Sequence, residues 1–437
     1  MAKLKSYLYP LVILGILFFV FGFITWVNGI LIPYFQICLE LTNFQASLVA
    51  FASYIAYFCI AIPSAWVLKY TGYKTWMVIG LVVMAVGTVM FVPAAYARTY
   101  FLFLAGLFVT GTGLALLQTA ANPYVAIIGP AESAAQRIGF MGVANKVAGI
   151  MSQRILGAIF LLNADSIVAS IGQASAVDKA RILDQYVLKV VDPYLVITGV
   201  LLVLAVMIHF SRLPEVKEKG EVQVSEVTTV KTSVLQYPYL VLGVVALFMA
   251  AAYEVIPIDG IILYSRSLGI PLEEARHFAE YTLYAMLVGY VASIVLIPRY
   301  LSQHRALQLC ALLGIGLTLG AYFSEGLVSV GCLILMGFGA AWLWGTIWGL
   351  AIRQLGQFTK IGAALLLMSV VGGGVFPLLF GALIDQNPAY PQTSILLLIP
   401  CNLFLLFYAS WGYRLEDWNN NSNKKGNSVK NEGLKLA

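Results

Sequence analysis

Apolar residues run through this chain in blocks of about 20, the length of helix that crosses a hydrocarbon layer of about 30 Å. Twelve such blocks are predicted, near residues 8–34, 45–67, 75–95, 100–128, 138–163, 193–212, 237–262, 278–297, 306–323, 327–350, 361–383 and 393–412. In lipid a backbone must satisfy its own hydrogen bonds, so each block is expected to be a helix and the chain an all-α membrane protein. An even number of crossings puts both termini on one side. The first block follows Lys3 and Lys5 and imitates a secretory leader. It continues for about 25 residues without a convincing cleavage site, and reads as a retained span.

Composition agrees with this pattern. The 437 residues are 60% hydrophobic and 11% charged, where soluble chains carry about 25% charged residues. No water-soluble domain has room to form, because the longest polar stretches lie near 164–192, 213–236 and after Tyr413. The net charge of +6 bears on membrane orientation rather than on nucleic acid. Of the 26 Lys and Arg, eighteen fall at the N-terminus, the even-to-odd connections, the 212–236 segment and the tail. Only Arg98, Lys179, Arg181, Lys189, Arg266 and Arg276 fall on the opposite side, so both termini are predicted to be cytoplasmic. The chain then divides into a six-helix bundle over 1–212, a cytoplasmic linker over 213–236, a second six-helix bundle over 237–413 and a polar tail over 414–437. Cys38, Cys59, Cys310, Cys332 and Cys401 are scattered without CxxC spacing and read as apolar fillers.

The two bundles repeat one another. Asn28-Gly29-Ile30-Leu31-Ile32 answers Asp259-Gly260-Ile261-Ile262-Leu263 at an offset of 231, and Gly111-Thr112-Gly113 answers Gly337-Phe338-Gly339 at 226. Arg137-Ile138-Gly139 answers Lys360-Ile361-Gly362, Leu156-Gly157-Ala158-Ile159 answers Phe380-Gly381-Ala382-Leu383, and Ile62-Pro63 answers Ile297-Pro298. Five matches in one order outweigh any single one, and a displacement of six crossings keeps orientation. The repeats are therefore parallel, related by an axis along the membrane normal.

Within the spans, polar residues mark where a helix faces protein, water or a ligand. Gln118 and Asn122 lie four apart in span four, one turn above each other. At the offset of 226 they correspond to Trp344 and Trp348 in span ten. An amide pair opposite an aromatic pair suits a sugar, whose hydroxyls take directional bonds and whose ring presents an apolar C–H face. Packing accounts for the amides equally simply, and an interfacial belt for Trp342, Trp344 and Trp348. Asn28 before Gly29 and Asn145 beside Lys146 complete the polar set of the first half, with Tyr124, Tyr281 and Tyr284 as further candidates. Lys146 and Arg154 in span five, and Glu254 and Asp259 in span seven, are charges that each cost about 2.5–3.5 kcal/mol at a helix centre. They allow pairing between the halves, although Asp259 and Arg154 lie near the predicted span ends, where either reaches the interface. Pro257 between the two acids should kink span seven and free backbone carbonyls. The sequence shows no metal-ligand cluster, phosphate-binding glycine loop or nucleophile motif, so no cofactor is expected and an intramembrane enzyme is disfavoured.

The run from Leu117 to Pro130, with Asn28-Gly29-Ile30-Leu31-Ile32-Pro33 and Leu41-Thr42-Asn43-Phe44-Gln45-Ala46, resembles the fucose–galactose–glucose (hexose) cation symporters of the major facilitator superfamily. The loop from Lys69 to Lys74 and the ending Gly381-Ala382-Leu383-Ile384-Asp385 are similar to signatures of that superfamily, although the loop lacks its usual acidic residue. The resemblance implies the major facilitator fold, with spans one, four, seven and ten lining a cavity near the bilayer midplane. It implies a multi-pass inner-membrane importer of a hexose-type sugar, such as glucose/galactose, fucose or an N-acetylhexosamine, in symport with a proton or sodium ion. A monomer working in the lipid bilayer is expected, with no nucleic-acid partner. Asn28, Gln118, Asn122, Asn145, Lys146, Trp344 and Trp348 are the expected substrate-binding residues. Fucose-transporting members carry carboxylates at the positions of Gly29 and Gln118, both uncharged here, so cation coupling is expected at Glu254 and Asp259 instead. The alternatives are an uncoupled sugar facilitator, a sugar-sensing receptor of the same fold, or an exporter of hydrophobic compounds.

Overall fold

Long apolar runs leave the backbone one solution in lipid, and all regular structure among the described residues is helical. The structure is a computed structural model that describes residues 2–128, 134–214, 233–297, 299–353 and 355–418. Residues 215–232 of the expected linker, the tail from 419, Pro130 and Pro298 lie outside the described residues. Twelve helical segments are long and apolar enough to cross a membrane: Leu8–Cys38, Asn43–Ser64, Tyr73–Ala97, Tyr100–Val125, Arg137–Gln173, Ala176–Phe210, Pro238–Ser267, Leu272–Leu296, Gln303–Phe323, Gly326–Ala351, Ile361–Gln386 and Pro391–Arg414. They are spans one to twelve.

Three features depart from plain rods. Span one is two helices, Ala2–Thr25 and Asn28–Cys38, interrupted at Trp26-Val27. An apolar interruption leaves a hydropathy pattern unbroken, which is why the predicted run shows no gap there. Span seven is α-helical over Pro238–Val255, widens to a π turn over Ile256–Gly260, and resumes over Ile261–Ser267. Pro257 has no N–H and causes this disturbance; its carbonyl accepts a 2.8 Å bond from the Thr282 hydroxyl of span eight. The polar stretch predicted as a connection near 164–192 contains two amphipathic helices, Ala164–Gln173 and Ala176–Val187. Ser175 caps the second, its Oγ accepting from the Asp178 N–H.

The repeat is visible in packing. A Cβ on Gly111 of span four would meet the Ser53 carbonyl of span two, and one on Gly337 of span ten would meet the Thr282 carbonyl of span eight. Small residues let backbones approach where lipid offers no hydrophobic drive. Between the halves, span five meets span eight, where Gly139 faces Ile294 and Gly142 faces Tyr290. Span two meets span eleven, where Gly373 faces Tyr54 and Gly374 faces Phe51.

Candidate functional site

The interruption in span one creates unpaired backbone groups that need local partners. Gln153 of span five supplies one, its amide donating to the Trp26 carbonyl. Trp26 turns its indole toward the same span and donates from Nε1 to Asn145 Oδ1 at 2.9 Å. Asn145, read from sequence as a substrate ligand, is thereby occupied in holding span one to span five.

The next residue, Lys146, carries the charge of the site. Its Nζ lies 3.7 Å from the Trp26 ring centroid and 3.0 Å from Glu254 Oε1 of span seven. The side chains are 5% and 20% exposed, so this is a buried pair joining the halves. Such a pair stands only while both members are present, because removing one strands the other charge. Arg154 pairs elsewhere than the span-seven acids. Its Nη1 lies 3.4 Å from Glu280 Oε1 of span eight, and its own side chain is 71% exposed.

Glu280 is an acid that the sequence reading missed. It is buried, accepts from the Tyr284 hydroxyl at 2.8 Å, and lies 3.5 Å from His277 Nδ1. Its place in the first turn of an apolar helix is the sequence signal that could have found it.

Asp259 departs furthest from expectation. Near a predicted span end it had a route to the interface; in the structure span seven runs on to Ser267 and Asp259 is 0% exposed. Neither carboxylate oxygen makes a hydrogen bond of full geometry among the described residues, and the Gly29 backbone N–H is the one donor that approaches it. It sits on the π turn, where spans seven and one touch most closely. A Cβ on Gly29 would lie 2.9 Å from the Ile258 carbonyl and 2.9 Å from Gln153 Nε2, so only glycine permits this approach.

The remaining candidates separate into two groups. Gln118 and Asn122 are half-buried on span four, and Gln118 donates to the Tyr57 hydroxyl of span two at 2.6 Å. Trp344 and Trp348 are half-buried on span ten and stack on each other, centroids 5.6 Å apart at 25°. Trp342 is buried and donates to the Gly289 carbonyl at 2.8 Å, which makes it a packing residue. Asn28 is buried and lines a small cavity of about 20 Å³ with Ser53, Thr88 and Thr110, inside the first six spans. That space suits one water molecule. Tyr124 donates to the Pro214 carbonyl at 2.8 Å, and Tyr284 belongs to Glu280.

Within the spans, the described residues thus include a charge pair between the halves, half-buried amides on span four and stacked rings on span ten. Among the described residues no group of three His, Cys, Asp or Glu side chains could hold a metal ion. The model of the Major Facilitator Superfamily matches residues 14–377. A glucose/galactose transporter of Brucella abortus is 32% identical over 412 residues, covering 93% of this chain and 95% of the relative. An L-fucose–proton symporter of Escherichia coli is 29% identical, covering 92% of each. The crystal structure of FucP, a major facilitator transporter in the outward conformation, aligns with TM-score 0.71 and 28% identity, over 93% of this chain and 99% of that one. This twelve-span chain therefore belongs to the Major Facilitator Superfamily, a family of membrane transporters rather than enzymes.

Proposed function

We propose that this chain is a secondary active transporter that imports a hexose-type sugar through the inner membrane by alternating access, in symport with protons. Its relatives are named for glucose, galactose and fucose, two of them as proton symporters, and similarity to them covers over nine-tenths of the chain. In this reading residues 1–212 and 237–413 are the two rocking bundles, 213–236 and 414–437 are cytoplasmic, and the protein works as a monomer. Gln118 and Asn122 orient sugar hydroxyls, Trp344 and Trp348 support the ring, and Asn28, Asn145 and Lys146 shape the wall.

The observation that carries the coupling is Asp259. A carboxylate shut away from water without a hydrogen bond of full geometry is tolerable when neutral, and costly when charged. Lys146 is already bound to Glu254, so it leaves Asp259 to find its neutralising charge in a proton. Glu254 and Asp259 thus take the coupling role that first-half carboxylates fill in fucose-transporting members.

Radiolabelled hexose uptake into proteoliposomes, under separately imposed pH and sodium gradients, tests this reading. Accumulation above equilibrium is expected with the pH gradient alone. Downhill equilibration only would make the chain a facilitator, and absence of sugar flux would favour a receptor.

A further inference from the structure

The end of the bundle away from the termini is held shut by carboxylates that reach from each half onto the other. Asp385, at the end of span eleven, accepts from the backbone N–H groups of Asn43 at 3.2 Å and Phe44 at 2.7 Å, and from Asn43 Nδ2 at 2.7 Å. It therefore caps the first turn of span two across the boundary between the halves. Gly381, one turn earlier on the same face, makes the approach possible, since a Cβ there would lie 2.6 Å from the Asn43 carbonyl.

The counterpart runs in the opposite direction. Asp165, in the helix Ala164–Gln173 that ends span five, accepts from the backbone N–H of Leu272 at 3.1 Å and of Glu273 at 3.0 Å, at the start of span eight. Spans five and eleven are equivalent in the repeat, as are spans two and eight. The equivalence is of elements rather than of positions, because at the offset of 224 Asp385 answers Leu161, one turn before Asp165. Arg266 of span seven extends the first contact, donating to Gln36 Oε1 at 3.0 Å, while Gln36 donates to Asn43 Oδ1 at 2.7 Å.

Resting on the alternating-access reading, we infer that Asp385 and Asp165 are paired clasps of the outer gate. Each must release a foreign helix N-terminus before that end opens, and together they set the balance between the two access states. Neither clasp touches the proposed sugar or proton site, so they tune access without altering recognition.

The test uses the full chain in proteoliposomes, spin-labelled at Thr99→Cys and Glu325→Cys with Cys59→Ser and Cys332→Ser. Both labelled positions are exposed, stand immediately before spans four and ten, and lie outside the network. Electron–electron distance measurements on Asp385→Asn and Asp165→Asn are expected to raise the open-to-closed ratio at this end about three- to tenfold each. The double variant should shift further. Asp184→Asn, which breaks a 3.2 Å pair with Arg98 inside the first half, should leave the ratio unchanged. Should the double variant fail to fold, the single variants carry the test. Unchanged ratios in the single variants overturn the clasps. A wild type with one distance population under every sugar and pH condition would instead overturn alternating access, which keeps the two failures apart.

Discussion

Asp259 and Lys146 are both buried ionisable residues in span contacts, and the difference in their partners sets different outcomes for their variants. Asp259→Asn keeps an oxygen for the Gly29 N–H and removes a buried ionisable group, so it should fold as well as the wild type or better. It should retain sugar exchange in counterflow and lose accumulation under a pH gradient, which paired uptake assays would read directly. Lys146→Met leaves Glu254 without its cation and should cost about 3–5 kcal/mol, seen as a fall in thermal stability in detergent. Adding Glu254→Leu should recover most of that loss while transport stays absent. If the single variant is as stable as the wild type, the pair is not a structural joint. Gln118→Ala should weaken sugar uptake about tenfold in KM, as expected for loss of a hydrogen bond to a bound hydroxyl, with the pH dependence unchanged.

At the scale of the element, the contact between spans one and seven depends on one residue without a side chain. Gly29→Ala would place a methyl against the Ile258 carbonyl and Gln153, so the two spans could no longer meet. The expected outcome is retained sugar binding, read by tryptophan fluorescence, with loss of both counterflow and accumulation. The charges and amides of these elements were legible in the sequence, because a polar residue inside an apolar block needs a reason. The Pro257 disturbance was legible too. The burial of Asp259 was not, since it depends on a π turn and on a contact with Gly29 across 230 residues of chain. Asn145 likewise reads as a ligand until Trp26 is seen to use it, and nothing local announces an indole donor 119 residues away.

For the whole molecule, the repeat carried most of the fold. Apolar blocks gave the twelve spans, and five motif matches in one order, at offsets between 223 and 235, gave the parallel relation of the halves. The helices Ala164–Gln173 and Ala176–Val187, which extend spans five and six, were missed because short amphipathic segments carrying Asp165, Asp178 and Asp184 look like a polar connection. Orientation rests on the distribution of Lys and Arg. A reporter fused after Ala437 that works only in the cytoplasm should therefore be active, and one that works only outside should be silent. The reverse result would invert the gate and the direction of transport together.

The interruption at Trp26-Val27 and the π turn at Ile256–Gly260 stand at equivalent places in the two repeats. Each divides its span into an inner rod and an outer rod joined by backbone outside the regular α ladder. Paired joints of this kind let the outer rods of spans one and seven bend apart while the inner rods keep the Lys146–Glu254 pair intact. The protein then need not move its halves as two stiff blocks: it can flex at two matched hinges. Amide hydrogen exchange should find residues 26–28, 256 and 258–260 opening faster than the helices on either side.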